Sequence, residues 1–227
     1  MLFKMIKAVV FDLDDTLISE YEYIQSGFRV IANFLSEKYQ LSSEDAFSIL
    51  MNLFQENPKN VFNRMLEFYQ IKYTMEDIKE LIFLYRNHLP NISLYDDAKF
   101  ILEHLSERNL KLGLITDGYK ETQRNKLESL NINHYFNSII VTDELGREFW
   151  KPHAKPYQLV KDELEVEFDE MIYIGDNLSK DFITAKQLGM KTIHIKRNEG
   201  VYKDLNFDQN YHAHQQVKTL EQIIEFI

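Results

Sequence analysis

Cysteine is absent from the 227 residues of this chain. Disulfide bonds, thiolate metal sites and cysteine nucleophiles are therefore excluded, and any bound metal must have oxygen or imidazole ligands. The chain also lacks an apolar run near the roughly 20 residues that span a bilayer, and its first residues lead directly into a strand-like segment. A cytoplasmic protein without a membrane partner is expected.

Basic residues are the minority among the charges: 26 Lys and Arg stand against 36 Asp and Glu, for a formal net charge of -10. This balance argues against a nucleic-acid partner, because basic patches drive binding to a phosphate backbone. Small phosphorylated metabolites remain compatible, since a bound divalent cation can reverse the local field. Repeats and low-complexity tracts are also lacking, and the 44% hydrophobic composition is that of an ordinary globular protein.

Short, nearly continuous apolar runs recur along the chain and predict the strands of a buried parallel sheet. From residue 93 onward these runs alternate with helical patterns, which indicates a doubly wound α/β domain. The predicted strands are residues 7–11, 111–115, 138–141, 171–174 and 191–195.

Between the first two strands the pattern changes to four successive apolar stripes at helical spacing. The stripes run over residues 24–35, 47–54, 61–68 and 78–85, and their members are expected to form a core. Thr74 and Asp77 are spaced as an N-terminal capping pair before the fourth stripe. The sequence therefore predicts an all-helical insert over residues 18–92, within an α/β domain made of residues 1–17 and 93–227.

Reactive side chains follow three of the predicted strands. Because ligands of open α/β sheets bind beyond the carboxyl ends of the strands, these side chains are expected to converge. Asp12 and Asp14 follow the first strand, Thr116, Asp117 and Gly118 the second, and Gly175 and Asp176 the fourth.

Two carboxylates at this spacing could also belong to an EF-hand loop. That loop requires glycine at its sixth position and glutamate at its twelfth. Counted from Asp12, those positions hold Leu17 and Tyr23, so the calcium-loop interpretation fails.

The strand-end segments resemble the motifs of the haloacid dehalogenase superfamily of hydrolases, over essentially the whole chain. Residues 11–17 are similar to its first motif, hydrophobic residues followed by Asp-x-Asp-x-Thr, and residues 114–118 and 175–181 to its second and fourth. The resemblance implies a Rossmann-like core, with the helical insert as a cap of the family's helical type.

The third motif of the family is a lysine with a weak local signature. Lys151 matches it through the following Pro152 and through Tyr157 six positions later. Bulky residues precede Lys151, and Ala154 stands where proline is frequent, so Lys155 is a competing alignment. Nearby His153, the lone tryptophan and the pair of His212 and His214 are interpreted as surface or packing residues.

What the resemblance implies is a phosphatase with one role for each motif residue. Asp12 would be the nucleophile that carries an aspartyl-phosphate, and Asp14 the acid and base for the leaving group and the attacking water. Mg²⁺ would bind the carboxylates of Asp12 and Asp176 and the backbone carbonyl of Asp14. The phosphoryl oxygens would be bound by Thr116, Asp117, Gly118 and Lys151, and Asp181 would orient the lysine or a metal-bound water.

The expected reaction is hydrolysis of a sugar phosphate or a nucleoside monophosphate. Haloacid chemistry is disfavoured because the family's dehalogenases lack an aspartate where Asp14 stands. A phosphomutase with the same aspartyl-phosphate remains the alternative. A non-catalytic phosphate-binding module is the second alternative, although Asp12, Asp14 and Asp176 are all present.

Overall fold

The computed structural model describes residues 5–108, 110–198, 200 and 207–227. They contain a six-stranded, entirely parallel sheet in the order β3-β2-β1-β4-β5-β6. This order is that of a doubly wound fold, so the predicted fold class is confirmed. The strands are β1 (Ala8–Phe11), β2 (Lys111–Thr116), β3 (Ser138–Val141), β4 (Met171–Gly175), β5 (Lys191–Ile195) and β6 (Gln215–Val217).

The last strand, β6, is absent from the sequence prediction. It has three residues at the sheet edge, and its two glutamines are exposed, so it carries no apolar run. Just before it, His214 Nδ1 accepts a hydrogen bond from the Thr192 backbone N–H at 3.1 Å. This hydrogen bond connects the start of the edge strand β6 to its neighbour β5.

Alternating residues of the central strand serve two separate cores. Val9 and Phe11 belong to one apolar cluster, and Ala8 and Val10 to the other, because successive side chains of a strand point to opposite faces. Helices cover both faces, which is why the strands are apolar throughout. The helices of this unit that follow β1 are α5 (Asp96–Ser106), α6 (Lys120–Leu130), α7 (Lys155–Leu164) and α8 (Ile183–Gln187).

The chain divides into two compact units, Met1–Tyr21 with Ile92–Ile227 and Glu22–Asn91. Within the α/β unit, Ile18 forms an antiparallel bridge with Leu94, and the Tyr95 N–H donates to the Leu17 carbonyl at 3.0 Å. The chain therefore leaves and re-enters this unit at neighbouring points, so that an inserted segment leaves the sheet intact.

The second unit is helical. It contains all but the first two residues of α1 (Glu20–Tyr39), and the whole of α2 (Ser43–Glu56), α3 (Val61–Phe68) and α4 (Met75–Asn87). The predicted capping pair is confirmed, because Thr74 and Asp77 hydrogen-bond each other's backbone N–H groups. Within the described residues, no helix is long and apolar enough to cross a membrane. The expected cytoplasmic location stays a prediction.

The interpretation of one stripe residue as core is wrong. Phe68 is 59% exposed, whereas Leu66 is buried. The helix α3 has only eight residues, and its inner face is formed by Val61, Met65 and Leu66. Phe68 is its last residue and packs edge-on against Tyr69.

A buried ion pair joins the loop after β1 to distant parts of the α/β unit. The Arg197 guanidinium donates to both carboxylate oxygens of Asp97, at 2.6 and 2.9 Å, and to the Thr16 carbonyl at 2.6 Å. Asp97 also accepts from the Leu220 N–H. This network holds the loop that carries Asp12 and Asp14.

Replacement of Arg197 by methionine is expected to destabilise the protein by about 3–5 kcal/mol, since it leaves Asp97 buried without its charged partner. Urea unfolding measures the change. Arg124→Met is the matched control, because the Arg124 pair with Glu144 is about 40% exposed and should contribute less than about 1 kcal/mol. Equal effects of the two substitutions would contradict this assignment.

Candidate active site

Asp12 lies where β1 ends, and its backbone continues the sheet. Its N–H donates to the Ile174 carbonyl of β4 at 2.8 Å. Its residue exposure is only 3%. The carboxylate is therefore fixed at the carboxyl end of the two central strands, where ligands of such sheets bind.

Lys151 is the lysine that the fold brings to Asp12. Its ammonium group lies 2.6 Å from Asp12 Oδ1, 2.8 Å from Asp181 Oδ1 and 3.0 Å from the Tyr173 hydroxyl oxygen. The competing Lys155 instead begins α7, and its ammonium group lies over the Phe149 ring at 3.7 Å. Of the two alignments, only Lys151 has the contacts expected of the motif lysine.

The charge of Lys151 is stabilised by its neighbours. Burial alone would lower the pKa of this ammonium group, but the carboxylates of Asp12 and Asp181 outweigh that effect and hold its pKa well above the usual value. Asp181 also accepts from the Asn177 N–H at 2.9 Å through its other oxygen. Gly175 is required beside it, because a Cβ at that position would overlap the Asp181 carboxylate.

Three carboxylates form a compact group: one oxygen from each of Asp12, Asp176 and Asp181 lies within 4.8 Å of the others. Burial, and then repulsion from Asp181, raises the pKa of Asp12 to about 7 against the opposing effect of Lys151. Burial, and then repulsion from Asp181 and Asp12, raises the pKa of Asp176 well above its usual value. This excess of negative charge, on oxygen donors alone, fits a divalent cation such as Mg²⁺.

The second strand-end segment lies next to the lysine. Thr116 is fully buried, and Gly118 has a φ of 136°, a conformation that favours glycine. The side chain of Asp117 is buried: one oxygen accepts from the Thr142 hydroxyl at 2.7 Å and from the Lys151 N–H at 3.1 Å. Burial alone would raise the pKa of Asp117, but Lys151 and Lys180 lower it below its usual value.

Sequence reasoning missed two polar residues of this site, Gln123 and Lys126. Gln123 Nε2 donates to Asp14 Oδ2 at 2.9 Å and to the Thr116 hydroxyl, and Lys126 Nζ lies 2.6 Å from Asp14 Oδ1. Both side chains are buried on one face of α6. One sequence feature could have identified them: two polar residues stand three positions apart on the helix that follows the second motif, and so lie on one face of it.

The comparisons with known proteins agree with this geometry. The profile of the haloacid dehalogenase-like hydrolases matches residues 9–195. A glyceraldehyde 3-phosphate phosphatase of Methanocaldococcus jannaschii is 29% identical over 228 residues, which cover 98% of this chain and 97% of the relative. One of Pyrococcus abyssi is 31% identical over 197 residues, or 85% of this chain and 82% of the relative.

A solved structure extends the match to the fold. The crystal structure of a haloacid dehalogenase-type phosphatase from Thermococcus onnurineus has a TM-score of 0.63 and 26% identity, and covers 97% of each chain. The matched profile spans most of the chain, including all three strand-end segments. The protein is therefore an enzyme of the haloacid dehalogenase-like hydrolase family.

Proposed function

We propose that this protein is a magnesium-dependent phosphatase that hydrolyses a small phosphate monoester through an aspartyl-phosphate on Asp12. One observation carries the proposal: the buried Asp12 carboxylate lies 2.6 Å from the Lys151 ammonium group, at the carboxyl end of the central strands. The phosphatase names of the reported relatives support the same reaction class.

The first step would be attack of Asp12 on phosphorus, with displacement of the substrate alkoxide. Lys151 would neutralise charge on the phosphoryl oxygens, and the Thr116 hydroxyl and the backbone N–H groups of Asp117 and Gly118 would donate to them. Asp181 holds Lys151 in position through their 2.8 Å contact. When bound by Asp12, Asp176 and the Asp14 carbonyl, Mg²⁺ would screen the repulsion between nucleophile and phosphate.

Asp14 would transfer the protons of both half-reactions. It would protonate the leaving alkoxide and then accept a proton from the water that hydrolyses the aspartyl-phosphate. Its side chain is 17% exposed, whereas that of Asp12 is 4% exposed. The greater exposure of Asp14 suits proton exchange with the leaving group and with water, whereas the buried Asp12 suits the role of nucleophile.

The substrate that we propose is a three-carbon sugar phosphate such as glyceraldehyde 3-phosphate. The support is the activity named for the relatives from M. jannaschii and P. abyssi. We also propose that the helical unit, inserted directly after the first motif, is the cap that excludes water and selects the leaving group.

The nucleophile is tested by Asp12→Asn, which should lower kcat for phosphate release by about 10³-fold or more, because the amide cannot form the acyl phosphate. Mass spectrometry of acid-quenched wild-type protein during turnover should detect a phosphorylated peptide containing residue 12. Asp162→Asn, at a carboxylate that is 74% exposed, is the control. Full activity of Asp12→Asn would refute the covalent mechanism.

The metal is tested by binding as well as by activity. A chelator should abolish phosphate release and Mg²⁺ should restore it. At about 100 times its Kd, Mg²⁺ should stabilise the wild-type protein by about 2.7 kcal/mol. This stabilisation is measured as a rise in Tm on addition of Mg²⁺. Asp176→Asn removes one of the carboxylates and should lose most of the rise, whereas Asp162→Asn should keep it. An equal rise in both variants would place the metal elsewhere.

The substrate class is tested with purified wild-type protein and a panel of phosphate monoesters. Glyceraldehyde 3-phosphate is expected to give a higher kcat/KM than hexose phosphates or nucleoside monophosphates. Preference for a nucleoside monophosphate would overturn the proposed substrate but would still be consistent with the proposed phosphatase reaction. Recovery of an isomeric sugar phosphate instead of inorganic phosphate would identify a phosphomutase.

A further inference from the structure

Lys126 is a buried lysine for which the proposed mechanism has no role. Its exposure is 2%, although it lies in the middle of α6, a helix with many exposed polar residues. Removal of an ammonium group from water is costly unless a partner compensates for it. That compensation comes from Asp14 Oδ1 at 2.6 Å.

The two oxygens of Asp14 have different partners. Oδ1 is bound by the charged Lys126, and Oδ2 accepts a 2.9 Å hydrogen bond from the neutral Gln123 amide. A charge-assisted hydrogen bond is roughly twice as strong as a neutral one. Oδ1 is therefore the anchored oxygen, and Oδ2 is the oxygen that can exchange its partner for a substrate or a water.

Gln123 is itself fixed from two sides. Its amide also donates to the Thr116 hydroxyl, and its side chain packs against Gly118. A Cβ at position 118 would lie 3.0 Å from the Gln123 side chain. One face of α6 thus links Asp14 to the segment that would bind the phosphoryl group.

Stability alone is a poor reason for this arrangement. A buried ion pair can usually be replaced by apolar side chains of similar volume without loss of stability. The adjacent inward position on α6 has such a side chain, Leu127. Burial, and then repulsion from Asp14, raises the pKa of a second carboxylate, Glu20, to about 7, and Lys126 opposes this rise. Lys126 therefore also offsets the negative charge of Asp14 and Glu20.

We propose that Lys126 is a positioning residue for proton transfer: it anchors Asp14 Oδ1 so that Oδ2 faces the leaving oxygen. This inference rests on the proposed function. It assigns to Lys126 a part in the reaction that acts through Asp14, distinct from the contact of Lys151 with Asp12.

The dependence of the rate on the leaving group separates this role from a structural one. Glycerol phosphate releases an alkoxide that requires a proton, whereas p-nitrophenyl phosphate releases a stable phenolate. Loss of general acid catalysis typically costs about 10²–10⁴-fold, and only for leaving groups that need the proton. A general loss of folded protein lowers both rates by the same factor.

Lys126→Met is expected to lower kcat/KM for glycerol phosphate at least about tenfold more than kcat/KM for p-nitrophenyl phosphate. The parameter kcat/KM is used because it leaves out the hydrolysis of the aspartyl-phosphate, a step that both substrates share. Both rates are measured on one preparation, so the fraction of folded protein cancels from their ratio. Lys120→Met, on the exposed start of the same helix, should keep the wild-type ratio. An unchanged ratio in Lys126→Met would overturn the proposal.

A double-mutant cycle with Asp14→Asn provides the second measurement. If Lys126 acts through Asp14, Lys126→Met should have little further effect on the glycerol phosphate rate once Asp14 is replaced. Full additivity would overturn the proposal. Lys126→Gln, which keeps a hydrogen-bond donor, serves in both measurements if Lys126→Met does not fold. Absence of magnesium-dependent phosphate release from the wild-type protein would instead refute the proposed function.

Discussion

Lys151 and the carboxylates of Asp12 and Asp181 share a site from which water is almost completely excluded. Burial of this kind raises the free energy of every unpaired charge, so each group depends on its neighbours for its charged state. Lys151 remains an ammonium because two carboxylates face it. Burial, the largest cause, and repulsion from Asp181 raise the pKa of Asp12 to about 7, because Lys151 and Lys180 do not fully offset them.

The incompletely compensated negative charge of this site is a consequence of the fold. Parallel strands β1, β2 and β4 end at one edge of the sheet, so residues that are far apart in sequence bring their charges together there. Such a site favours ligands that add positive charge or that carry oxygen atoms for Lys151 to bind. A divalent cation with a phosphate monoester meets both conditions, which is why the proposed reaction suits this site.

The loop after β1, which carries Asp12 and Asp14, is supported by side chains outside the recognisable motifs. Arg197 donates to the Thr16 carbonyl, and Lys126 and Gln123 donate to the Asp14 carboxylate. These contacts fix the loop after β1, and none of them is made to the carboxylate of Asp12, the proposed nucleophile. Positioning of this kind matters because small displacements of catalytic groups cost large factors in rate.

The sequence by itself determined the α/β class, five of the six strands and the four helical stripes, because apolar periodicity reports local burial directly. It also predicted Asp12, Asp14, Thr116 and Asp176 as site residues, since each lies within three residues of the end of a strand. Only the tertiary structure brought Lys151 to Asp12, buried the Asp117 side chain and brought Lys126 to Asp14. These depend on contacts between residues 34 to 139 positions apart, which no local pattern encodes.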